Sequence, residues 1–367
     1  MKTIVVSAVN LNRGGTLSIL RECLHCLSKL AETKGYYVIA LVYDKKLAYY
    51  PSIHYVELQW PKRTWVNRIW CEYITMKGIS RRLSPVFLWL SLHDITPTVI
   101  ALNRIVYCHN SFPFYAWKMR DLLFAPKIVL FALFSKYAYR KNIHKNNYVI
   151  VQQQWLRNEF VRLFNLSAQS IIVAPPSFHP VKHDFFISKS SLEYSFFFPA
   201  VADSHKNFEC ICSAAHLLEQ SLGANKFRVY ITVEGTENSY ARWLYHKWSK
   251  NRALSFIGYL NEEELSEYYQ RCDCLIFPSK VETWGLPISE FAIYNKPMLL
   301  ADLPYAHETA GGCSRVAFFN PDSPNELAVH MKRLIQGNTY SLRSVENTII
   351  PPPTAYSWKD LFDFITK

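Results

Sequence analysis

The sequence predicts an α/β protein of two Rossmann-like domains that face each other across a cleft, and two observations predict it. Short runs rich in β-branched residues alternate with amphipathic stretches of helical length, which is the pattern of parallel strands joined by crossover helices. The alternation stops in a proline-rich stretch at residues 174–191 and then starts again. At 367 residues, half of them hydrophobic, the chain is long enough for two cores.

The elements follow from this alternation. In the first half we expect a helix at residues 16–31, capped by Thr16, and strands at residues 4–9, 37–43, 104–108, 148–151 and 171–173. In the second half we expect helices at residues 208–220, from 262 and from 287, and strands at residues 194–198, 227–233, 254–257, 274–277 and 298–301. The predicted organisation is a first domain at 1–175, a linker at 176–192, a second domain at 193–345 and a C-terminal helix at 346–367 that packs back on the body.

The charge balance predicts an anionic partner. Lysine and arginine outnumber aspartate and glutamate by 41 to 29, and the formal net charge is +12. Nucleic acid, an acidic membrane face and phosphorylated substrates all suit such a balance. No recognised nucleic-acid-binding module is present, so we expect no nucleic acid partner.

The cysteines and the hydropathy indicate the cellular compartment that the sequence suits. Nine cysteines, an odd number without a secretory leader, indicate reduced thiols in the cytoplasm. The close pairs at residues 23 and 26, 210 and 212, and 272 and 274 lack a second pair at zinc spacing, so we interpret them as buried thiols. No stretch reaches the roughly 20 apolar residues of a spanning helix.

The segment from residue 275 to residue 312 contains the most informative motif. A buried strand ends at Pro278, and a helix is predicted from Pro287, since proline suits the first helical position. The backbone amides of Trp284, Gly285 and Leu286 would then lie at a helix N-terminus, where free N–H groups favour an anion such as a diphosphate.

Two glutamates frame this turn. The run Glu282-Thr-Trp-Gly-Leu-Pro-Ile-Ser-Glu290, followed by Ala292 and Pro297, resembles the retaining glycosyltransferase family 4, which typically has E-G-F-G-L-P-x-x-E and then A-x-x-x-x-x-P. The sequences of residues 303–311 and 319–327 also resemble the pattern of this family. The resemblance implies the GT-B architecture, with the first domain on the acceptor side and the second binding a nucleotide-sugar. It also implies that Glu290 holds the donor ribose and that Glu282 lies beside the transferred sugar and the departing diphosphate.

Further residues are matched to the family one by one. Lys206 matches the lysine that meets the donor phosphates, although the arginine that the family has a few residues earlier is absent near Ala200. His109 matches the histidine that lines the pocket of the transferred sugar. His93-Asp94, also at a strand end, is a second candidate without a specific family match.

Two loops complete the predicted donor site. The resemblance places Gly14 and Gly15, which let a backbone approach a ligand closely, near the diphosphate and acceptor. It places Tyr259 and Leu260 at the nucleobase. The acidic run that follows at residues 262–264 is explained by a capping box at Asn261, so no metal is needed.

The resemblance therefore implies a hexosyltransferase that moves a hexose, with retention, from a nucleotide-sugar to a sugar hydroxyl. The expected acceptor is a lipid-linked glycan in surface polysaccharide assembly of the O-antigen, lipopolysaccharide or capsule type, and no cofactor or metal is expected. The missing arginine leaves an alternative open: a nucleotide-sugar-binding scaffold or subunit with reduced activity. The sugar, the nucleotide base and the linkage are not determined by the sequence.

Residues 60–82 predict a contact of another kind. Tryptophans and isoleucines share one helical face, and most of the basic residues lie off it. Such a helix suits the headgroup region of an anionic bilayer, and the alternative is an amphipathic helix packed on its own domain. The expected location is the cytoplasm, with peripheral contact at the cytoplasmic face of the inner membrane.

Overall fold

The structure is a computed structural model that describes residues 2–12, 14–176 and 193–367. The described part divides into two compact units, the first drawn from residues 2–12, 14–113, 134–176 and 350–367 and the second from residues 114–133 and 193–349. Apart from Pro176, the predicted linker at 176–192 lies outside the described residues.

The strands form one parallel sheet in each unit. The seven-stranded sheet of the first unit has the order β3-β2-β1-β4-β5-β6-β7, and the six-stranded sheet of the second has the order β10-β9-β8-β11-β12-β13. The strands are β1 (Thr3–Ala8), β2 (Tyr37–Val42), β3 (Ile53–Glu57), β4 (Leu88–Ser91), β5 (Asn103–Tyr107), β6 (Tyr148–Val151), β7 (Ile171–Val173), β8 (Tyr194–Phe198), β9 (Phe227–Ile231), β10 (Leu254–Phe256), β11 (Cys274–Phe277), β12 (Met298–Ala301) and β13 (Val316–Phe319).

Most of the helices lie between successive strands, and α12 and α13 follow the last strand. In chain order they are α1 (Gly14–Lys34), α2 (Trp65–Trp70), α3 (Met76–Arg82), α4 (Met119–Phe124), α5 (Pro126–Arg140), α6 (Gln154–Phe164), α7 (Phe208–Leu222), α8 (Ser239–Trp248), α9 (Glu262–Arg271), α10 (Leu286–Ala292), α11 (Pro304–Thr309), α12 (Pro324–Ile335) and α13 (Trp358–Ile365). Both units are therefore Rossmann-like α/β domains, which confirms the predicted fold class.

The first unit is built around β1 and β2. Their inner residues are almost completely buried, and Leu20, Leu24 and Leu27 of α1 pack on them at helical spacing. The predicted helix at 16–31 is longer at both ends, because α1 already begins at Gly14. Thr16 therefore lies inside the helix and is not its cap. Strand β3 was not predicted, because only Ile53 of this edge strand is buried.

The C-terminal segment packs on the first unit. The indole N–H of Trp358 donates to Glu22 at 3.2 Å, which joins α13 to α1. The buried guanidinium of Arg157 donates to the carbonyl oxygens of Pro351 and Pro353. The chain thus returns to the unit in which it began.

Residues 114–133 belong to the second unit, which differs from the predicted first domain of 1–175. The ring of Phe124 lies 5.0 Å from that of Trp243, measured between centroids. Arg120 forms an ion pair with Glu209, and Lys118 Nζ lies 2.6 Å from Asp322. These contacts join α4 to the second unit, although its sequence position lies well before the linker.

No helix among the described residues is long and apolar enough to cross a membrane. All nine cysteines lie within the described residues and have free thiols. Of the six cysteines in the close pairs, five are buried as predicted, whereas Cys26 is half-buried.

Candidate active site

The loop between β11 and α10 is fixed by hydrogen bonds from two other elements. The buried Tyr305 donates from its hydroxyl to the carbonyl oxygen of Ser279 at 2.7 Å. Asn207 donates from Nδ2 to the carbonyl oxygens of Pro278 and Pro321, at 3.1 and 2.7 Å. A helix start after Lys206 would suggest Asn207 as the N-cap of α7, but Asn207 has a left-handed backbone and its side chain makes no cap hydrogen bond; it joins the two loops instead.

Helix α10 starts one residue earlier than predicted and is short. It begins at Leu286 with Gly285 at the N-cap position and ends at Ala292, after which the chain turns and Asn295 takes a φ of 50°. Pro287 lies in the first turn, where its missing N–H costs nothing. Trp284, Gly285 and Leu286 do lie at a helix start, as predicted, although the helix has only seven residues.

Gly285 is required here for two reasons. Its φ is 89°, which an L side chain rarely adopts, and a Cβ would lie 3.3 Å from Ile288 Cδ1 and 3.4 Å from Phe277 Cε1. We expect Gly285→Ala to lower the free energy of unfolding by about 2–4 kcal/mol, the sum of backbone strain and overpacking. Chemical unfolding measures this loss.

Gly337→Ala is the matched control for that measurement. Gly337 also has a positive φ, 75°, but a Cβ there would meet nothing within 4 Å. Only the backbone cost of about 1–2 kcal/mol should remain. Equal losses in the two variants would refute the packing argument at Gly285.

Lys206 and Glu282 lie in direct contact, although 76 positions separate them. Lys206 ends the turn of residues 204–206 that follows β8, and Glu282 lies in the loop after β11. Lys206 Nζ donates to Glu282 Oε1 at 2.5 Å, and both side chains are mostly buried. Because β8 and β11 are neighbours in the sheet, their carboxyl ends bring the two predicted residues together.

Glu290 is held by a tyrosine from another helix. The hydroxyl of Tyr269, in α9, donates to Glu290 Oε2 at 2.6 Å. Burial raises the pKa of the Glu290 carboxyl, and the hydrogen bond from Tyr269 opposes that change. A carboxylate held in this way can accept hydrogen bonds from hydroxyl groups of a ligand.

Trp284 lies across the start of α10. Its indole N–H donates to Ser289 Oγ at 2.9 Å, and its carbonyl oxygen accepts a hydrogen bond from the hydroxyl of Thr309. These contacts fix the ring at the position where the family has phenylalanine.

The loop after β10 presents the predicted nucleobase contacts. Gly258 has a φ of 72°, and the next residue, Tyr259, is 90% exposed, whereas Leu260 is half-buried. Asn261 and Glu264 form the predicted capping box, with hydrogen bonds of 2.8 and 3.0 Å, so the acidic run is explained by helix capping. No group of three His, Cys, Asp or Glu side chains in the described ranges is arranged to hold a metal ion.

The remaining predicted residues lie in the first unit. His109 is two residues beyond the end of β5, and its backbone N–H and ring contact Asp94.

Gly14 and Gly15 are exposed at the start of α1, and a Cβ on either would meet nothing within 4 Å. The open surroundings suit approach of a ligand, but neither glycine is required by packing.

The structure thus brings together Lys206 and Glu282, and places Trp284, Gly285, Leu286 and Glu290 on the same loop and helix. Tyr269 and Asn207 support this group and were not predicted as site residues. Nothing in the sequence around Tyr269 marks it, whereas Asn207 directly follows Lys206 at the start of a predicted helix.

The site residues from Lys206 to Glu290 lie within a stretch of sequence that matches a known family. Residues 182–349 match the model of the family described as glycosyl transferases group 1. The O-antigen chain mannosyltransferase RfbU of Salmonella typhimurium is 20% identical over 237 residues, which are 64% of this chain and 61% of that protein. The match therefore spans about three fifths of that relative's length.

Solved structures of low sequence identity share the fold. Sucrose-phosphate synthase from Thermosynechococcus elongatus superposes with a TM-score of 0.64 at 14% identity, over 93% of this chain and 91% of that one. WaaG, a glycosyltransferase involved in lipopolysaccharide biosynthesis, superposes with a TM-score of 0.61 at 13% identity, over 92% and 90%. The chain as a whole therefore has the GT-B type of fold, and its residues 182–349 have the sequence pattern of the group 1 glycosyl transferases.

Proposed function

We propose that the protein is a retaining hexosyltransferase that takes its sugar from a nucleotide-sugar and transfers it to a sugar hydroxyl of a lipid-linked glycan. Mannose is the first sugar to test, because RfbU is named a mannosyltransferase. Surface polysaccharide assembly is the proposed setting, because the names of RfbU and WaaG refer to O-antigen and lipopolysaccharide.

The contact between Lys206 and Glu282 is the observation that supports this proposal most directly. A lysine and a carboxylate meet at the carboxyl ends of β8 and β11, next to the start of α10. The lysine can neutralise charge that develops on a leaving diphosphate, and fixed charges of this kind stabilise a transition state strongly in a site that excludes water. We assign Glu290, whose carboxylate accepts a hydrogen bond from Tyr269, to the hydroxyl groups of the donor ribose.

A thermal-shift screen of UDP-, GDP- and ADP-sugars tests the donor. A ligand at 100 times its dissociation constant stabilises the native state by about 2.7 kcal/mol, and only a ligand that the native state binds raises the melting temperature. Transfer from the donor that binds is then followed to a glycan acceptor, and NMR of the product shows whether the anomeric configuration is kept. A melting temperature unchanged by every donor would contradict the proposal.

The alternative of a scaffold with reduced activity rests on one observation. The family arginine is absent near Ala200, whose backbone N–H and carbonyl oxygen each hydrogen-bond to the hydroxyl of Thr232 at 2.8 Å, and Lys280, in the loop after β11, is paired with Asp322. A chain that binds a nucleotide-sugar but neither transfers nor hydrolyses it would establish this alternative.

We further propose that residues 60–82 contact an anionic bilayer at the cytoplasmic face of the inner membrane. The outward apolar face of this segment is more than half exposed at each of its members, which are Trp65, Val66, Ile69, Trp70 and Ile74. The inner side is occupied instead by Arg68, Glu72 and Met76. This exposure supports membrane contact over packing of the apolar face on its own domain.

Charge complementarity supports a membrane as the occupant. Lys62, Arg63, Arg81 and Arg82 flank residues 65–74 in the sequence and are exposed, and Glu72, the acidic residue of the segment, is fully buried. Each basic residue near an anionic leaflet contributes about 1 kcal/mol, and tryptophan suits the interface.

We expect Trp65→Ser and Trp70→Ser each to weaken binding to vesicles with anionic lipids by about tenfold, since burial of a large apolar side chain contributes about 1.5–3 kcal/mol. Co-sedimentation with vesicles of phosphatidylglycerol and phosphatidylethanolamine measures this. Tyr340→Ser, at an aromatic residue that is 91% exposed in the second unit, is the matched control. Equal binding of all three variants would reject the membrane surface.

A further inference from the structure

Asp94 has an unusual backbone at the carboxyl end of β4. Its φ is 70°, in the left-handed region that costs most residues energy and that aspartate and asparagine tolerate better than most. Its N–H donates to the carbonyl oxygen of Tyr107 at 3.2 Å, and its own carbonyl accepts from Cys108 Sγ at 3.3 Å. The end of β5 thus holds Asp94 in this conformation.

The two carboxylate oxygens of Asp94 face one residue. Oδ1 accepts from the backbone N–H of His109 at 2.7 Å, and Oδ2 lies 3.5 Å from His109 Nε2. The buried hydroxyl of Tyr139 lies near the same carboxylate. Burial raises the pKa of the Tyr139 hydroxyl, and the negative charge of Asp94 raises it further. One side chain therefore contacts both the backbone and the ring of His109.

Nδ1, the other ring nitrogen of His109, lies in a different environment. His109 Nδ1 is buried and has no hydrogen-bond partner within the described part of the chain. A carboxylate beside Nε2 favours the tautomer that carries the proton on Nε2. The hydrogen-bond partner of one ring nitrogen determines whether the other nitrogen is protonated. Nδ1 is then an acceptor, and a buried acceptor without a donor is unfavourable until a ligand supplies one.

We propose that Asp94 is a positioning residue that holds the proton of His109 on Nε2, so that Nδ1 accepts a hydrogen bond from a hydroxyl of the sugar substrate. This inference rests on the proposed transferase function for the identity of the ligand. The orientation of the ring does not depend on that function, and it is tested separately.

The first test is the tautomer of His109 in the full chain, read from long-range proton–nitrogen NMR spectra of histidine-labelled protein, with His109→Asn for assignment. We expect the Nε2–H form in the wild type. In Asp94→Asn the left-handed backbone is tolerated, but the amide can donate to Nε2, so the proton should move to Nδ1. Asp363→Asn removes an exposed carboxylate paired with Lys34 and should leave the His109 pattern unchanged.

The second test is transfer. We expect Asp94→Asn to lower kcat by about tenfold or more, as is usual when a residue that orients a functional side chain is changed, with little effect on the KM of the donor. Asp363→Asn should retain wild-type kcat. If Asp94→Asn does not fold, Asp94→Gly accepts the same φ without strain and should give mixed tautomers.

An unchanged Nε2–H form in both Asp94 variants, or a wild-type kcat in Asp94→Asn, would overturn the proposal. A wild-type chain that transfers no sugar would instead contradict the proposed function. The tautomer measurement would still decide whether Asp94 orients His109.

Discussion

Replacing Lys206 by alanine is expected to weaken the binding of UDP or GDP and to lower kcat for sugar transfer by about 10²–10³-fold. The ammonium group of Lys206 lies at the carboxyl end of β8, where a diphosphate would sit, and it is mostly buried. Loss of one preorganised donor to developing negative charge has an effect of this size in other enzymes. Titration calorimetry with the nucleoside diphosphate and initial rates of transfer measure the two effects.

The Glu282→Gln variant should separate binding from transfer. The wild-type carboxylate contacts Lys206 Nζ at 2.5 Å and competes with an incoming diphosphate for that cation. Its neutralisation should therefore tighten binding of the nucleoside diphosphate, while kcat should fall because, in the proposed function, the transferred sugar loses the carboxylate beside it. Lys250→Ala, at an exposed lysine of the same unit, is the control and should change neither quantity. Weaker diphosphate binding in Glu282→Gln would show that the Glu282 carboxylate does not compete with the diphosphate for Lys206.

The sequence predicted the elements of the site better than their contacts. The strand before Pro278, the turn at Gly285 and the helix after it could be predicted because proline and glycine have strong local preferences. Lys206 was found because it follows a strand and matches a family position. Its contact with Glu282 could not be predicted from local pattern, since it depends on β8 and β11 being neighbours in the sheet.

Which side of a helix is buried was harder to predict. Residues 65–74 have an apolar face, and apolar faces usually pack inward. Here the buried side includes the ion pair Arg68–Glu72, and the tryptophans are exposed. Hydrophobic periodicity identifies a helix and its two faces, but the partner of each face is set by the rest of the chain. The placement of residues 114–133 in the second unit escaped prediction for the same reason.

The buried side of this segment leads to the second large effect, on the pH dependence of stability. Glu72 is completely buried, with Arg68 Nε at 2.8 Å and His93 Nδ1 at 3.2 Å. Burial raises the pKa of the Glu72 carboxyl from 4.5 to about 7, against the opposing effect of Arg68. Burial also lowers the pKa of His93 well below its ordinary value.

The raised pKa means that the native state binds the proton of Glu72 more tightly than the unfolded chain does. The resulting stabilisation is fully present below the unfolded pKa of 4.5 and is lost as the pH rises through 7. The difference between these pKa values corresponds to about 3 kcal/mol. The depressed pKa of His93 acts in the opposite sense, because its stabilisation is present above the ordinary pKa of 6.5 and is lost on acidification.

The glutamine of Glu72→Gln stays neutral at every pH. We therefore expect this variant to lack the loss of stability that the wild type shows as the pH rises through 7. Relative to the wild type, its free energy of unfolding should rise by about 3 kcal/mol between pH 4.5 and pH 8, whatever the constant offset from the altered contact with Arg68. Urea unfolding at a series of pH values measures this difference. Glu32→Gln, at an exposed glutamate of α1, should show no such slope. A flat difference for Glu72→Gln would mean that Arg68 keeps the Glu72 carboxylate ionised throughout, so that the pair outweighs the cost of burying the charge.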